Sequence, residues 1–391
     1  LCGGAIENNV CREARKREEG FVVSVETREK MSASLKGQEA KSGFLRENTT
    51  SSSQTRSSKE EKIMHVIHAR NVNDAFAQGL EHLLIHGERE TSRNGTVLVA
   101  PTAVTTVYER PWERVLFSPM RDANPFFHMM EALWMLGGRR DVAFPAQFNK
   151  RFVDYSDDGV SFNAAYGYRW RSYFDRDQLA DIIGELRRSP ESRRCVLGMW
   201  DPYADLGSSS RDIPCNTNVY FDRRHGKLNM TVCNRSNDII WGAYGANVVH
   251  MSMMQEYIAS ALDCPMGVYR QISNNYHAYT DVYPVTKFQE LADDALANDE
   301  YFFDRDGIFE EPHGNFTSAA RFDRWNAALL NFLDGNFQYC TEEFFIGTAI
   351  PMYTAWVARK QKQSNGLSIA DSIVAPDWRI ACVDWILRRE K

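Results

Sequence analysis

The segment DIPCNTNVYFD, residues 212–222, sets one cysteine between a proline and a strand-like run. A nucleophilic cysteine needs a route to the thiolate and a fixed electrophile. Arg193 and Arg194 precede the strand that leads into this region, and Arg235 follows on the next strand. Guanidinium groups favour a thiolate and grip phosphate in bidentate fashion. Taken by themselves, these residues fit a small core cysteine and surface ion pairs more readily than a nucleophile facing an anionic substrate. A third kind of group stands upstream. Glu131 is the lone acid of the apolar run NPFFHMMEALWMLGG, residues 124–138, flanked by Met130 and Ala132. A carboxylate in such a setting is a candidate for proton transfer.

Several elements must position these groups. NDAFAQGLEHLLIHG, residues 73–87, reads as a helix started by Asn73 and stopped by Gly87. GTVLVAPTAVTTVYE reads as extended chain broken at Pro101. The run carrying Glu131 predicts a helix ending in two glycines, and DQLADIIGELRRSP another, closed by Pro190. RRCVLGMWDP, NTNVYFD and LNMTVCN predict strands, the last two joined by a turn at HGK. NVVHMSMMQEYIASALD, residues 247–263, predicts a long helix, and GVYRQISNNYHAYT leads toward another. GIFEEPHGNFTSAARFDRW reads as irregular, and the segments from SIADSIV to DWRIACVDWILRRE as a helical end packed on the body. The mixture argues for an α+β domain.

Composition bounds the rest. At 391 residues, 43% hydrophobic and 25% charged, the chain has the make-up of an ordinary globular enzyme. A net charge of -6 gives no general attraction to a nucleic acid polymer, though a local basic pocket could still hold an anion. The 8 cysteines show no CxxC pair and no disulfide framework, so a reducing, cytoplasmic compartment and no metal are expected. No stretch reaches membrane-spanning length, and the start lacks the apolar core of a signal peptide. Residues 1 to about 60 are polar and rich in Ser, Thr and charge, which predicts a flexible or weakly ordered extension. Within it VETREKMSASLKG, residues 25–37, resembles a small modular motif found near the ends of homing endonucleases, a hint of phage history, and reads equally as an incidental amphipathic segment.

Four motifs occur in order: SRR at 192–194, PCN at 214–216, RSND at 235–238 and YHAY at 276–279. Together they resemble the thymidylate synthase and pyrimidine hydroxymethylase family. EALWMLGG at 131–138 and AYGYRWR at 165–171 extend the likeness over roughly residues 70 to 290. The resemblance implies an α+β, thymidylate synthase-like fold: a large mixed β-sheet forming a dimer interface, with packed helices. It implies one catalytic domain over 61–391, divergent from about 290. It also implies a homodimer with shared sites, a pyrimidine nucleoside monophosphate as substrate and 5,10-methylenetetrahydrofolate as one-carbon co-substrate.

In that family the cysteine adds to C6 of the base so that C5 can attack a folate-borne methylene. Cys215 matches this nucleophile. Glu131 matches the acid that organises water and proton transfers around base and folate, and Tyr166 a tyrosine near C5. Arg193 and Arg194 match the pair that reaches the phosphate from the neighbouring subunit. Arg235 and Ser236 match the phosphate contacts of the same subunit, and Arg93 the mobile phosphate-binding arginine. His277 and Tyr279 match the sugar-holding residues. Asp238 and Trp134, with Glu131, match folate-side groups.

Three departures bear on the reaction. The residue after the nucleophile, usually His in the synthases, is Asn216, which does not titrate. Ala246 falls where a uracil-using synthase has Asn and a deoxycytidylate hydroxymethylase an acid; Asn247 is adjacent, but one residue on an α-helix turns a side chain by about 100°. Where synthases place a tryptophan beside the methylene, NKRFVDYSDD offers Val153 or nearby Phe152. Nor does the chain end in the short apolar tail with which synthases close over the site. A hydroxymethylase must admit water to the methylene, so these changes favour a 5-hydroxymethyl product. The best reading is dUMP to 5-hydroxymethyl-dUMP. Cytidylate hydroxymethylation, methylation of dUMP and a non-catalytic nucleotide-binding protein are the alternatives.

Overall fold

The computed structural model describes residues 64–304, 307–309 and 321–390. The expected extension over residues 1 to about 60, with its endonuclease-like motif, lies outside them, as does most of the irregular stretch after Gly307.

Strand β1 (His65–Ala69) leads into helix α1 (Val72–His86), the hairpin β2 (Glu88–Ser92) and β3 (Gly95–Val99), and β4 (Val104–Tyr108). Helix α1 starts two residues earlier than its sequence suggests. Asn71 is the cap, its Oδ1 accepting the N–H groups of Asn73 and Asp74 at 2.9 and 3.1 Å. Asn73 is spent elsewhere: its amide donates to the Val115 carbonyl and accepts the Phe117 N–H.

Helix α2 (Pro125–Leu136) follows, then a single turn α3 (Ala143–Ala146), α4 (Tyr166–Arg171) and α5 (Gln178–Arg188). Each of the longer helices opens on a side-chain cap, Asn124 for α2 and Asp177 for α5. Every residue of α2 is buried, which fits its apolar run. Strands β5 (Val196–Gly198), β6 (Asn216–Arg224) and β7 (Lys227–Asn234) form a meander, closed at its second turn by His225 and Gly226 in the left-handed region. After the short β8 (Asn237–Asp238) and a π-helical stretch, Ile239–Ala246, comes α6 (Asn247–Ala261).

The segment GVYRQISNNYHAYT is itself two strands, β9 (Met266–Ser273) and β10 (Tyr276–Tyr279). The expected helix, α7 (Phe288–Ala297), comes after them. The remainder is helical: α8 (Phe322–Leu333), α9 (Ile350–Lys360), α10 (Gly366–Asp371) and α11 (Pro376–Leu387). Trp356 on α9 and Trp385 on α11 pack against Phe126 of α2, so the carboxy-terminal helices buttress the helix that carries Glu131.

Two sheets result. The larger is mixed, in the order β1-β4-β9-β7-β6-β5, with β1/β4 and β9/β7 parallel and the other pairs antiparallel. The smaller runs β2-β3-β10-β8. The core lies against one face of the large sheet, where α6 is buried on nearly all sides. Gln255 ties that helix to the sheet by donating to the carbonyls of Leu228 and Gly267. On the opposite face a row across four strands, Tyr220, Thr231, Arg270 and Val107, is open or half-open. Among the described residues no helix is long and apolar enough to cross a membrane, and no group of three or more His, Cys, Asp or Glu is arranged to hold a metal.

Candidate active site

Cys215 sits one residue before β6, half-buried, at the end of the loop that follows β5. That loop is pinned by charge. Arg169 is buried and holds Asp205 through both carboxylate oxygens at 2.7 and 2.8 Å, while also donating to the Met199 carbonyl. Asp157 accepts from Ser210 and from the Arg211 N–H, and Asp212 accepts the Ala164 N–H at 2.7 Å. The approach to the cysteine is therefore fixed before any ligand binds.

Tyr166 stands directly behind it. Its hydroxyl oxygen accepts the backbone N–H of Cys215 at 3.3 Å and of Asn216 at 3.4 Å. Burial raises its pKa, so the group stays a phenol with its proton free to point elsewhere. The neighbouring Gly167 makes this placement possible. A Cβ there would lie 1.9 Å from the Met135 carbonyl oxygen, so only glycine lets α4 lie against the end of α2.

Arg235 flanks the thiol from the end of β7. Its guanidinium donates to the carbonyls of Pro214 (2.8 Å) and Ile213 (3.0 Å) and comes within 3.8 Å of Cys215 Sγ. Its own N–H donates to the Cys215 carbonyl. Burial pushes the thiol pKa up; Arg235 pulls it down and Asp212 pushes it up. Burial also lifts the Asp212 carboxyl to about 6.

Asn216 is fully buried, its Oδ1 accepting from Asn234 Nδ2, which leaves Asn216 Nδ2 and Asn234 Oδ1 without a partner. Glu131 shows the same pattern. It is buried on α2 with Oε2 3.0 Å from His250 Nε2 of α6, yet neither atom makes an aligned hydrogen bond. His128, one turn before Glu131, is held neutral because burial drops its pKa to about 3. Buried polar atoms without partners are rare, and the Asn216–Asn234 and Glu131–His250 pairs both leave such atoms.

The small sheet carries the next group. His277 and Asp238 are register partners in β10 and β8. Asp238 accepts the N–H groups of Trp241 and Tyr279 at 2.5 and 3.3 Å, and burial raises its pKa. Burial lowers that of His277, against the pull of Asp238. The His277 ring meets Tyr279 edge-on at 5.2 Å. Arg93 is exposed in the β2–β3 turn, beside Asn94, whose amide reaches the Tyr279 hydroxyl at 3.5 Å. Ser236 is half-buried between β7 and β8.

Two sequence readings change in the structure. The stretch before α6 is π-helical, with a kink at Gly245 (φ -107, ψ -106). A π-turn holds one residue more than an α-turn, so the α-helical phase that set Ala246 in place of an amide does not apply. Asn247 turns its amide onto Asn237, donating to Oδ1 at 3.1 Å, and Asn237 in turn donates to Ser273. Ala246 makes no such contact. Trp134 lies in the core, 1% exposed, its indole N–H on Asp141 and its ring edge-on to Phe162, and offers no face to a co-substrate.

Arg193 and Arg194 stand apart from the rest. Both are exposed just ahead of β5, and the β5/β6 register carries Arg194 toward Asp222, at the far end of β6 from Cys215. Seven residues of strand span roughly 23 Å. Within one chain these arginines do not reach the cysteine. Phe152 folds into an aromatic cluster with Phe127 and Phe162, leaving Val153 exposed. His250 carried no signal in the sequence, because its partner Glu131 is distant along the chain, while Asp212 and Asn237 stood inside the quoted motifs with no role assigned.

The chain is similar to several known proteins. The thymidylate synthase family model matches residues 74–295. A deoxyuridylate hydroxymethyltransferase of Pseudomonas phage M6 is 46% identical over 334 residues, covering 83% of this chain and 95% of that protein. The deoxyuridylate hydroxymethyltransferase of Bacillus phage SP01 is 39% identical over 187 residues, covering 45% and 49%. A putative thymidylate synthase of Methanosarcina acetivorans is 27% identical over 219 residues, covering 56% and 91%. Among solved structures, T4 phage thymidylate synthase superposes with a TM-score of 0.48 at 17% identity, covering 55% of this chain and 79% of that one.

Proposed function

Because this chain belongs to the thymidylate synthase family, we propose that it converts dUMP to 5-hydroxymethyl-dUMP, with 5,10-methylenetetrahydrofolate as the one-carbon donor and water as the final nucleophile. It is an enzyme of one-carbon transfer to pyrimidine nucleotides, on the hydroxymethyltransferase side of the family. The base, the sugar and the donor are the finer part of the reading.

The chemistry follows from the residues. An unactivated ring carbon is a poor nucleophile, and covalent addition divides the step. The Cys215 thiolate adds to C6 while electron density moves onto O4, and C5 then bonds to the methylene carbon. Water held at Tyr166 takes the C5 proton, and the folate nitrogen takes a proton as tetrahydrofolate departs, which leaves an exocyclic methylene on the nucleotide. Water adds its oxygen there, and its proton passes to Glu131. The C6–S bond breaks as the C5=C6 bond re-forms, which returns the thiolate. Arg235 steadies the thiolate and, with Ser236 and Arg93, the phosphate. His277 and Tyr279 line the sugar. Tyr166, its oxygen held by the Cys215 and Asn216 N–H groups, orders the water that takes the C5 proton, and Asp238 organises the folate side.

Asn247 supports uracil. Its amide presents both a donor, suited to O4, and an acceptor, suited to N3–H, and Asn237 holds it in place.

One observation carries the hydroxymethyl outcome. The segment adjoining the cysteine loop, tied to it where Arg211 donates to the Asp154 carbonyl, shows Val153 to solvent and folds Phe152 away. Val153 puts no aromatic ring where synthases place their tryptophan, which favours access of water.

The placement of Arg193 and Arg194 supports a homodimer. A second copy docked on the open face of the large sheet would bring its arginines to a phosphate that its partner's cannot reach, giving shared sites. The test of substrate is direct: dUMP, dCMP, UMP and CMP are assayed side by side with methylenetetrahydrofolate. The highest kcat/KM is expected for dUMP; faster turnover of either cytidylate would refute the base assignment.

A further inference from the structure

We infer that His250 is a positioning residue for Glu131, its Nε2–H holding the carboxylate in place for the proton steps at the base. This rests on the one-carbon transfer reading above.

The geometry carries it. Glu131 lies on α2, His250 projects from α6, and the two helices pack side by side with Oε2 and Nε2 3.0 Å apart. Both side chains are buried, at 4% and 2% exposure. Yet neither Glu131 Oε2 nor either ring nitrogen of His250 has an aligned hydrogen bond. A buried carboxylate and imidazole without aligned partners are costly to the fold. A third atom, from substrate or water, completes the arrangement. The groups facing His250 sharpen its role. His128 is neutral and near, so it cannot serve as cation to Glu131. Asn247 lies one turn before His250 on the same helix, so the residue proposed to read the base and the one that steadies the acid share a face. Asn216, which does not titrate, takes no part in proton transfer. The proton steps therefore fall to Glu131, with His250 holding its carboxylate.

Two near-isosteric variants test this without removing bulk. Gln places its amide nitrogen at about the reach of Nε2, and Asn at about that of Nδ1. His250→Gln should keep kcat within a few-fold of wild type. His250→Asn should lose about 10- to 100-fold in kcat, the cost of a misplaced catalytic group, with dUMP binding unchanged. Equal kcat for the two variants overturns the inference. So does a loss in His250→Asn matched by an equal loss of dUMP affinity, which would mark a merely structural residue. The product of the wild-type enzyme tests the functional reading separately. A methyl product would refute hydroxymethylation yet leave the Gln-to-Asn ratio fully readable, since Glu131 serves proton transfer in either outcome.

Discussion

Arg235 is the charge nearest the nucleophile, and its removal has a calculable consequence. The guanidinium lies 3.8 Å from Cys215 Sγ. Two unit charges at that separation interact by about 4 kcal/mol at an effective dielectric of ~20, and by about 1 kcal/mol in bulk water. Arg235 is exposed, so solvent screening favours the lower figure. About 1 kcal/mol is slightly under one pKa unit. Arg235→Met should therefore raise the Cys215 thiol pKa by about one unit, adding to the upward push of burial. Arg235→Lys should sit between, since an ammonium restores charge but cannot hold both carbonyls of the loop. The assay is the pH dependence of iodoacetamide alkylation, read on the Cys215 peptide by mass spectrometry so that the other cysteines do not interfere. Superimposable profiles for wild type and Arg235→Met would refute the claim that this guanidinium stabilises the thiolate.

Other consequences are as open to measurement. If sites are shared, co-expressing Cys215→Ala with Arg194→Ala should restore roughly a quarter of wild-type activity, because half of randomly paired dimers are mixed and each mixed dimer keeps one intact site; no recovery would contradict the cross-subunit role. Asn247→Asp should cut dUMP turnover by about tenfold or more and raise dCMP turnover relative to it, because an acid accepts from the cytosine amino group and repels O4; an unchanged dUMP-to-dCMP ratio would remove Asn247 from base reading. Burial lifts the Asp212 carboxyl from 3.8 to about 6. A raised folded-state pKa stabilises the fold fully below about pH 4, and that contribution is lost as pH climbs through about 6. Asp212→Asn should accordingly flatten the decline in urea stability between pH 4 and 8, a difference of about 1–3 kcal/mol. Parallel pH profiles for variant and wild type would count against it.

The chemistry-bearing motifs were legible because their members are close in sequence. PCN and RSND adjoin strands that the runs around them predict, whereas YHAY is itself β10, in a segment read as leading toward a helix. What escaped had physical causes. The base-reading position was left between Ala246 and Asn247 on an α-helical rotation, but the stretch before them is π-helical with a kink at Gly245, and nothing in IIWGAYGA announces that. Trp134 stood in the right motif, yet helical phase alone could not show that its ring turns toward Asp141 and the core. Asn73 and Asn71 compete for one cap, and the winner is decided by the distant carbonyl of Val115, which claims Asn73. His250 reads in sequence as one polar residue in a Met-rich helix. Only packing of α6 on α2 brings it to Glu131.

The account turns on water completing a reaction that the cysteine begins. The most direct measurement runs the wild-type enzyme with dUMP and methylenetetrahydrofolate in ¹⁸O-labelled water, with mass spectrometry of nucleotide and folate together. A hydroxymethyl nucleotide carrying the heavy oxygen, alongside tetrahydrofolate and absent with Cys215→Ala, is the predicted result. A methyl nucleotide accompanied by dihydrofolate would contradict it.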